Sequence, residues 1–205
     1  MKEDFYKAFE DKYRGSRQLI KSRLKAYLPF VETVADHYPN AEMLDLGCGR
    51  GEWVELMGEK GFSAKGVDLD DGMLSECRKI GLDVETADAI EYLRQLPNES
   101  QVVISAFHLV EHIDFESLLT LVDESLRVLV PGGLLILETP NPENLIVGTS
   151  SFYLDPTHEK PLPPNLLAFI PEYFEFEKVK VVRLQELQAI AESNTEPCTE
   201  RHTQT

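Results

Sequence analysis

The chain has 205 residues, 42% of them hydrophobic and 27% charged, with three cysteines and a formal net charge of −16. That length suits one domain around a single core, and no apolar run approaches the ~18 residues that a membrane-spanning helix needs. The acidity excludes a protein that tracks a phosphate backbone, because such affinity comes from Lys and Arg releasing counterions, so no nucleic-acid partner is expected.

Cys48, Cys77 and Cys198 lie far apart without CxxC spacing, which fits neither a disulfide framework nor a zinc cluster. Charges run through the first 25 residues where a signal peptide would be apolar, so a reducing, cytoplasmic compartment is expected. Residues 1–25 hold eight of the twenty Lys and Arg against four acids. This basic segment reads as a solvated helix face, the alternatives being an anionic ligand or peripheral contact with an anionic membrane surface.

In chain order, Phe5, Phe9 and Tyr13 recur at helical spacing, as do Leu19, Ile20, Leu24 and Leu28, with Gly15 and Ser16 between the two sets. The pattern predicts two short helices, the second capped by Ser16, forming an amino-terminal helical cap over residues 1–38. Strands and helices then alternate: strand 42–46, helix 51–60, strand 64–69, helix 72–80, strand 82–86, helix 89–95, strand 101–106 and helix 115–129. A Pro131-Gly132-Gly133 turn leads into a fifth strand, Leu134 to Glu138. The irregular stretch from Asn141 to Pro164 reads as a substrate lid, followed by a helix near 165–173 and a sixth strand at 177–184.

Residues 39–184 are thus expected to form one α/β domain, a doubly wound and mostly parallel sheet covered by helices on both faces. Ligands of such sheets sit at the carboxyl ends of the strands. Residues 185–205 read as a helix trailing into disordered polar coil. No strand is read beyond residue 184.

The first strand runs into Asp45-Leu46-Gly47-Cys48-Gly49-Arg50-Gly51 and then a helix. Glycines there let the backbone approach a ligand while the helix amino terminus offers free N–H groups. The last glycine follows the second by two residues, where the dinucleotide fingerprint spaces them by three. Asp68 then ends the second strand and Asp88 the third. A carboxylate at the first place can accept both hydroxyls of a ribose, and one at the second an adenine amino group. Each acid alone is equally a helix cap; the ordered set of glycine turn and two acids is what carries weight.

DLGCGRGEW, GVDLD, TADA, ISAFHLVEH and LRVLVPGGLLILETPN resemble the successive motifs of class I S-adenosylmethionine-dependent methyltransferases over roughly residues 40–140. The resemblance implies a Rossmann-like fold with S-adenosylmethionine as cofactor, and a sheet of seven strands, of which only six can be placed, so a truncated or diverged carboxyl end is expected. Asp45, Gly47, Cys48, Gly49 and Gly51 would hold the methionine part, Asp68 the ribose with Leu69 also in contact, and Asp88 and Ala89 the adenine, while Phe107 would close the pocket. FYKAFEDKYRGSRQLIKSRL and ETPNPENLIVGTSSFYLDPTHEKPLPP resemble, more narrowly, methyltransferases of bacterial surface-polysaccharide clusters. That likeness implies a saccharide or glycan-linked acceptor. Arg14 and Arg17, around Gly15 and Ser16, would either pair with the cofactor carboxylate or form a surface turn.

A second constellation is His108-Leu109-Val110-Glu111-His112. If this stretch is helical, His108, Glu111 and His112 share one face beyond the fourth strand. His158 lies in the lid. The layout resembles metal-dependent methyltransferases acting on the terminal ribose of small RNAs, except that His108 stands where a Glu would be. His108, His112 and His158 are the candidate general bases, and with Glu111 they are the candidate ligands of a divalent metal ion; all four are expected to converge with or without metal. Three classes of function stay open: a methyltransferase on a saccharide or other small molecule, an S-adenosylmethionine-binding module without catalysis, and a nicotinamide-dependent oxidoreductase, which the glycine spacing disfavours.

Overall fold

The computed structural model describes residues 12, 13, 15–35, 37, 38 and 42–184. Its strands are β1 (Glu42–Leu46), β2 (Ala64–Asp68), β3 (Val84–Thr86), β4 (Gln101–Phe107) and β5 (Leu129–Glu138). The helices are α1 (Arg17–Leu24), α2 (Leu28–Ala35), α3 (Glu52–Glu59), α4 (Asp71–Lys79), α5 (Ala89–Gln95), α6 (Phe115–Val128), α7 (Leu145–Thr149) and α8 (Pro164–Tyr173). The five strands form one sheet in the order β3-β2-β1-β4-β5, every described pair parallel. The winding therefore reverses between β1 and β4, and a crevice opens beyond the carboxyl ends of these two strands.

Period-two alternation sends successive strand residues to opposite faces. Leu44, Leu46, Ile104 and Ala106 pack with Leu93 of α5, Leu118 and Leu121 of α6 and Ile170 of α8. Met43, Val103 and Ile136 pack on the other side with Leu24, Tyr27, Leu28 and Val31 of the amino-terminal segment and Trp53, Leu56 and Met57 of α3. Asp70, Asp88 and Asp114 cap α4, α5 and α6 through side-chain oxygens, each such cap being worth about 1 kcal/mol.

Ser16 caps α1 as expected, accepting from the Leu19 amide at 3.3 Å. The helix then tightens to a 3₁₀ turn at Lys25–Tyr27 before restarting as α2. Pro29 explains the break, because in a continuous helix its ring would collide with the Lys25 carbonyl. The helix expected around Phe5 and Phe9 and the tail expected at 185–205 lie outside the described residues.

Two expectations need correction. Pro131-Gly132-Gly133 is not a turn before the fifth strand but a bulge inside it: Leu129 already pairs with Gln101 and Leu134 with Val103, so residues 130–133 bow out opposite Val102. Gly132 there takes φ +74°, a region open to glycine at no steric cost. Residues 177–184, expected as a sixth strand, form none. Their side chains are claimed elsewhere: Lys180 lies 5.2 Å from the Phe30 ring centroid, Arg183 pairs with Glu143 at 2.7 and 3.0 Å, and Leu184 packs against the amino-terminal cluster.

Candidate functional site

The crevice has two sides, one built from β1, β2 and β3 and the other from β4 and the loop after β5. On the first, Gly47, Gly49 and Gly51 all have positive φ, at +66°, +52° and +70°. Gly51 also has no room for a side chain, since a Cβ would lie 2.7 Å from Leu82 Cδ1 and 3.1 Å from Cys77 Sγ. The Cys48 amide donates to the Val67 carbonyl at 3.0 Å, and Asp68 accepts from the Gly49 amide at Oδ2 and the Asp70 amide at Oδ1, both at 2.8 Å. The glycine turn is thus laced to the end of β2. Each Asp68 oxygen keeps a second lone pair, so the carboxylate can still accept hydrogen bonds from a diol placed at this edge.

Asp88 accepts from the Ile90 and Glu91 amides at 2.9 and 3.0 Å and stays exposed, with Ala89 opening α5 beside it. Leu69 is 70% exposed on the same edge, an apolar side chain left open at the crevice rim. Asp45 is buried and accepts from the Ser105 hydroxyl at 2.7 Å, so it braces β1 against β4. Cys48 offers backbone alone: burial, and then the charges of Asp45 and Asp68, push its thiol pKa far up. Phe107 packs edge-on against Tyr27 and Trp53, with centroids 5.1 Å from each.

Of the two arginines singled out, Arg14 lies outside the described residues. Arg17 donates from Nε to Glu55 at 2.6 Å and from Nη1 to the Arg50 carbonyl at 2.5 Å. Its Nη2 is buried with no hydrogen-bond partner among the described residues. The amino-terminal segment therefore grips the glycine turn itself, with one donor left over.

On the second side the structure departs from the helical reading of 108–112. The stretch is a turn, and His108 sits at φ +55°, a left-handed conformation uncommon outside glycine and held here by the sheet end, where its amide donates to the Glu138 carbonyl at 2.9 Å. Its ring lies between two carboxylates, Nδ1 at 3.0 Å from Glu111 and Nε2 at 3.4 Å from Glu138. Burial works to lower its pKa, but the hydrogen bonds and charges of Glu111 and Glu138 prevail and raise it to about 10. A protonated imidazole donates from both nitrogens and has no lone pair. His108 thus pairs with Glu111 and Glu138 and stands apart from the group that Glu111 forms with His112 and His158.

His112 and His158 do meet, with ring centroids 4.6 Å apart. Donor atoms of Glu111, His112 and His158 all lie within 4.8 Å of one another. Spacing alone placed Glu111 beside His112; His158 arrives from the loop after β5, whose Glu159 amide donates to the Glu111 carbonyl at 2.9 Å. Burial lowers the His112 pKa, with the charges of Glu111 and Asp155 acting against it. Glu111 is 1% exposed, and its Oε2 has no hydrogen-bond partner among the described residues. Such an oxygen is costly to bury unless something pairs with it.

Four participants, Tyr27, Glu138, Asp155 and Thr157, had no role in the sequence reading. Tyr27 donates to Glu138, tying the amino-terminal cap to the end of β5, and periodicity marks Tyr27 only as apolar surface. Thr157 and Asp155 flank His158, and the Asp-Pro-Thr run carries a legible signal, since an Asp two residues before an amide makes an Asx turn. That turn is present, Thr157 N to Asp155 Oδ1 at 2.9 Å.

A methyltransferase-domain family profile matches residues 15–194. A SAM-dependent methyltransferase of Archaeoglobus fulgidus of known structure is 34% identical, with a TM-score of 0.74 over 92% of this chain and 90% of that one. A probable S-adenosylmethionine-dependent methyltransferase of Mycolicibacterium smegmatis is 27% identical over 148 residues, 71% of this chain and 56% of its own length. A ubiquinone biosynthesis O-methyltransferase of Psychrobacter arcticus is 29% identical over 122 residues, 52% of this chain and 46% of its own. The chain thus spans about half the length of the curated relatives it matches.

Proposed function

This chain belongs to the methyltransferase-domain family, and on that premise we propose that it moves a methyl group from S-adenosylmethionine to an un-ionised hydroxyl oxygen, with a saccharide hydroxyl as the acceptor class. The observation that carries the reading is the meeting of His112 and His158 over buried Glu111 at the carboxyl edge of the sheet, on the side of the crevice opposite the glycine turn. When bound, S-adenosylmethionine supplies a methyl group on a positively charged sulfur, which an oxygen nucleophile takes while sulfur keeps the bonding electron pair.

The chain's residues divide the remaining work. Gly47, Cys48, Gly49 and Gly51 offer backbone to the methionine part, Asp68 accepts from the ribose, and Asp88 with the Ala89 amide faces the adenine, Leu69 covering the ring. Arg17, with its spare buried donor, pairs with the amino-acid carboxylate. A hydroxyl is a poor nucleophile at neutral pH and needs a proton acceptor as it reacts; His112 and His158 are placed for that. An acceptor already ionised, such as a phosphate, would need only cationic positioning and no proton acceptor. The saccharide assignment rests on the likeness of residues 5–24 and of the loop after β5 to polysaccharide-cluster methyltransferases, the same loop that delivers His158.

Glu111 Oε2 favours one elaboration: Glu111, His112 and His158 are a hard-to-borderline donor set that fits a divalent cation. Such an ion, when bound, acts as a Lewis acid toward the acceptor hydroxyl. Incubation with labelled S-adenosylmethionine and a panel of saccharides tests the main reading, which predicts label on a sugar oxygen; label on no acceptor, with cofactor still bound, would reduce the chain to a binding module. Loss of transfer on chelation, restored by a divalent ion, selects the elaboration, and indifference to chelator removes it.

A further inference from the structure

The two histidines are useful only if the right ring nitrogen carries the lone pair, and the loop after β5 dictates which. Thr157 Oγ1 lies 2.6 Å from Asp155 Oδ1 and 2.9 Å from His112 Nδ1. The hydroxyl has one proton to share between them. Asp155 is a carboxylate whose pKa burial would raise but which the Thr157 hydroxyl and amide hold below its ordinary value. It can only accept, and the short contact is that of a charge-assisted hydrogen bond. The hydroxyl proton therefore points at Asp155, and the oxygen turns its lone pairs to the imidazole. His112 must then donate from Nδ1, which leaves Nε2 as its acceptor nitrogen. The reverse arrangement would set the Thr157 oxygen against a carboxylate oxygen at 2.6 Å with no proton between them.

His158 obeys the same logic by a different partner. Its Nδ1 lies 2.6 Å from the Phe152 carbonyl, an acceptor only, so it too donates from Nδ1, with Nε2 turned toward Glu111 and Asp155 at 4.0 Å each. Both histidines are thereby pre-set, one by a carbonyl and one by an Asp155-Thr157 relay.

We propose that Thr157, oriented by Asp155, is a positioning residue that fixes His112 in the tautomer bearing its proton on Nδ1, so that Nε2 is free to take the proton of the acceptor hydroxyl. The inference rests on the methyl-transfer reading only for its last clause; the tautomer itself is a property of the chain. Side-chain hydrogen bonds of this kind set which imidazole nitrogen is available, and losing an equivalent orienting partner typically costs about 10–100-fold in activity.

The test is nitrogen-15 NMR of the histidine rings in the full chain, with His112 assigned by its loss in His112→Gln, on wild type, Thr157→Val and Thr157→Ser. The expected result is an Nδ1-protonated, Nε2-bare ring for His112 in wild type and Thr157→Ser, and a shift toward Nε2 protonation in Thr157→Val. Thr157→Ser keeps the hydroxyl and serves should the valine variant fail to fold. In turnover on whichever saccharide the labelling panel identifies, Thr157→Val should lose kcat with little change in KM, and Thr157→Ser should recover most of it. An Nε2-protonated His112 in wild type, or a ring unchanged by Thr157→Val, overturns the proposal. Full turnover by His112→Gln would instead overturn the methyl-transfer role of the histidine and leave the tautomer result standing.

Discussion

The two sides of the crevice are assembled by different means. On the proposed cofactor side, the glycine turn, Asp68 and Asp88 sit at the ends of successive strands, tied together by bonds such as that from the Gly49 amide to the Asp68 carboxylate, 19 residues on. On the acceptor side, Glu111 and His112 meet His158 only because a loop from beyond β5 folds back, pinned by the Glu159 amide and the Thr157 hydroxyl. A side made by strand ends is as rigid as the sheet. A side made by a returning loop depends on a few side-chain contacts, and its specificity can change without disturbing the sheet.

The largest expected effect lies on the acceptor side alone. His112→Ala or His158→Ala should cut turnover by roughly 10²–10⁴-fold, the usual range for a positioned acid or base, while calorimetry finds S-adenosylmethionine affinity unchanged. A loss of cofactor affinity in either variant would mean that the two sides are not separable.

Next in size is a change confined to the turn. Gly51→Ala places a Cβ 2.7 Å from Leu82 and forces a left-handed residue, which should cost about 1–3 kcal/mol of stability, read from denaturant midpoints, together with cofactor affinity. Asp68→Ala removes hydrogen bonds at the end of β2 and should weaken cofactor binding by about 1–3 kcal/mol, with histidine-dependent turnover at saturating cofactor largely kept. Unchanged affinity in Asp68→Ala would remove the ribose assignment.

The smallest effect sharpens the role of the amino-terminal segment. Burial works to raise the Glu55 pKa, but Lys21 and Arg17 outweigh it and hold the carboxyl below its ordinary value. A depressed carboxylate pKa adds stability that is present above the unfolded value, about 4.3, and is lost as pH falls through the folded one. The melting-temperature gap between wild type and Glu55→Gln should therefore be open at neutral pH and close in acid, and as the pair is part-exposed it should reflect about 1 kcal/mol or less. A gap that widens in acid would mean that Glu55 is not the anion gripping this helix.

The contrast also explains what could be read beforehand. The strand expected at 42–46 is Glu42–Leu46 and the helix expected at 89–95 is Ala89–Gln95, because apolar periodicity and Asp caps act within a few residues. That Asp68 and Asp88 lie on one edge was legible because strand ends share an edge in any doubly wound sheet. The helical reading of 108–112 failed because the spacing of His108, Glu111 and His112 is helical while the end of β4 sets His108 at φ +55°. No strand forms at 177–184 although the alternation of Lys and Val is real; Lys180 lies over Phe30 and Arg183 pairs with Glu143. Thr157 became visible only with its neighbours in place, since a hydroxyl's role depends on which acceptor takes its proton.

The central claim, that a hydroxyl acceptor is deprotonated by a histidine pair opposite the cofactor edge, is tested most directly by labelled methyl transfer to saccharide hydroxyls at saturating S-adenosylmethionine, comparing wild type with His112→Ala. The account predicts label on a sugar oxygen with wild type and a rate at least about 100-fold lower with the variant. Equal rates for both, or label appearing only on carboxylate or phosphate oxygens, would contradict it.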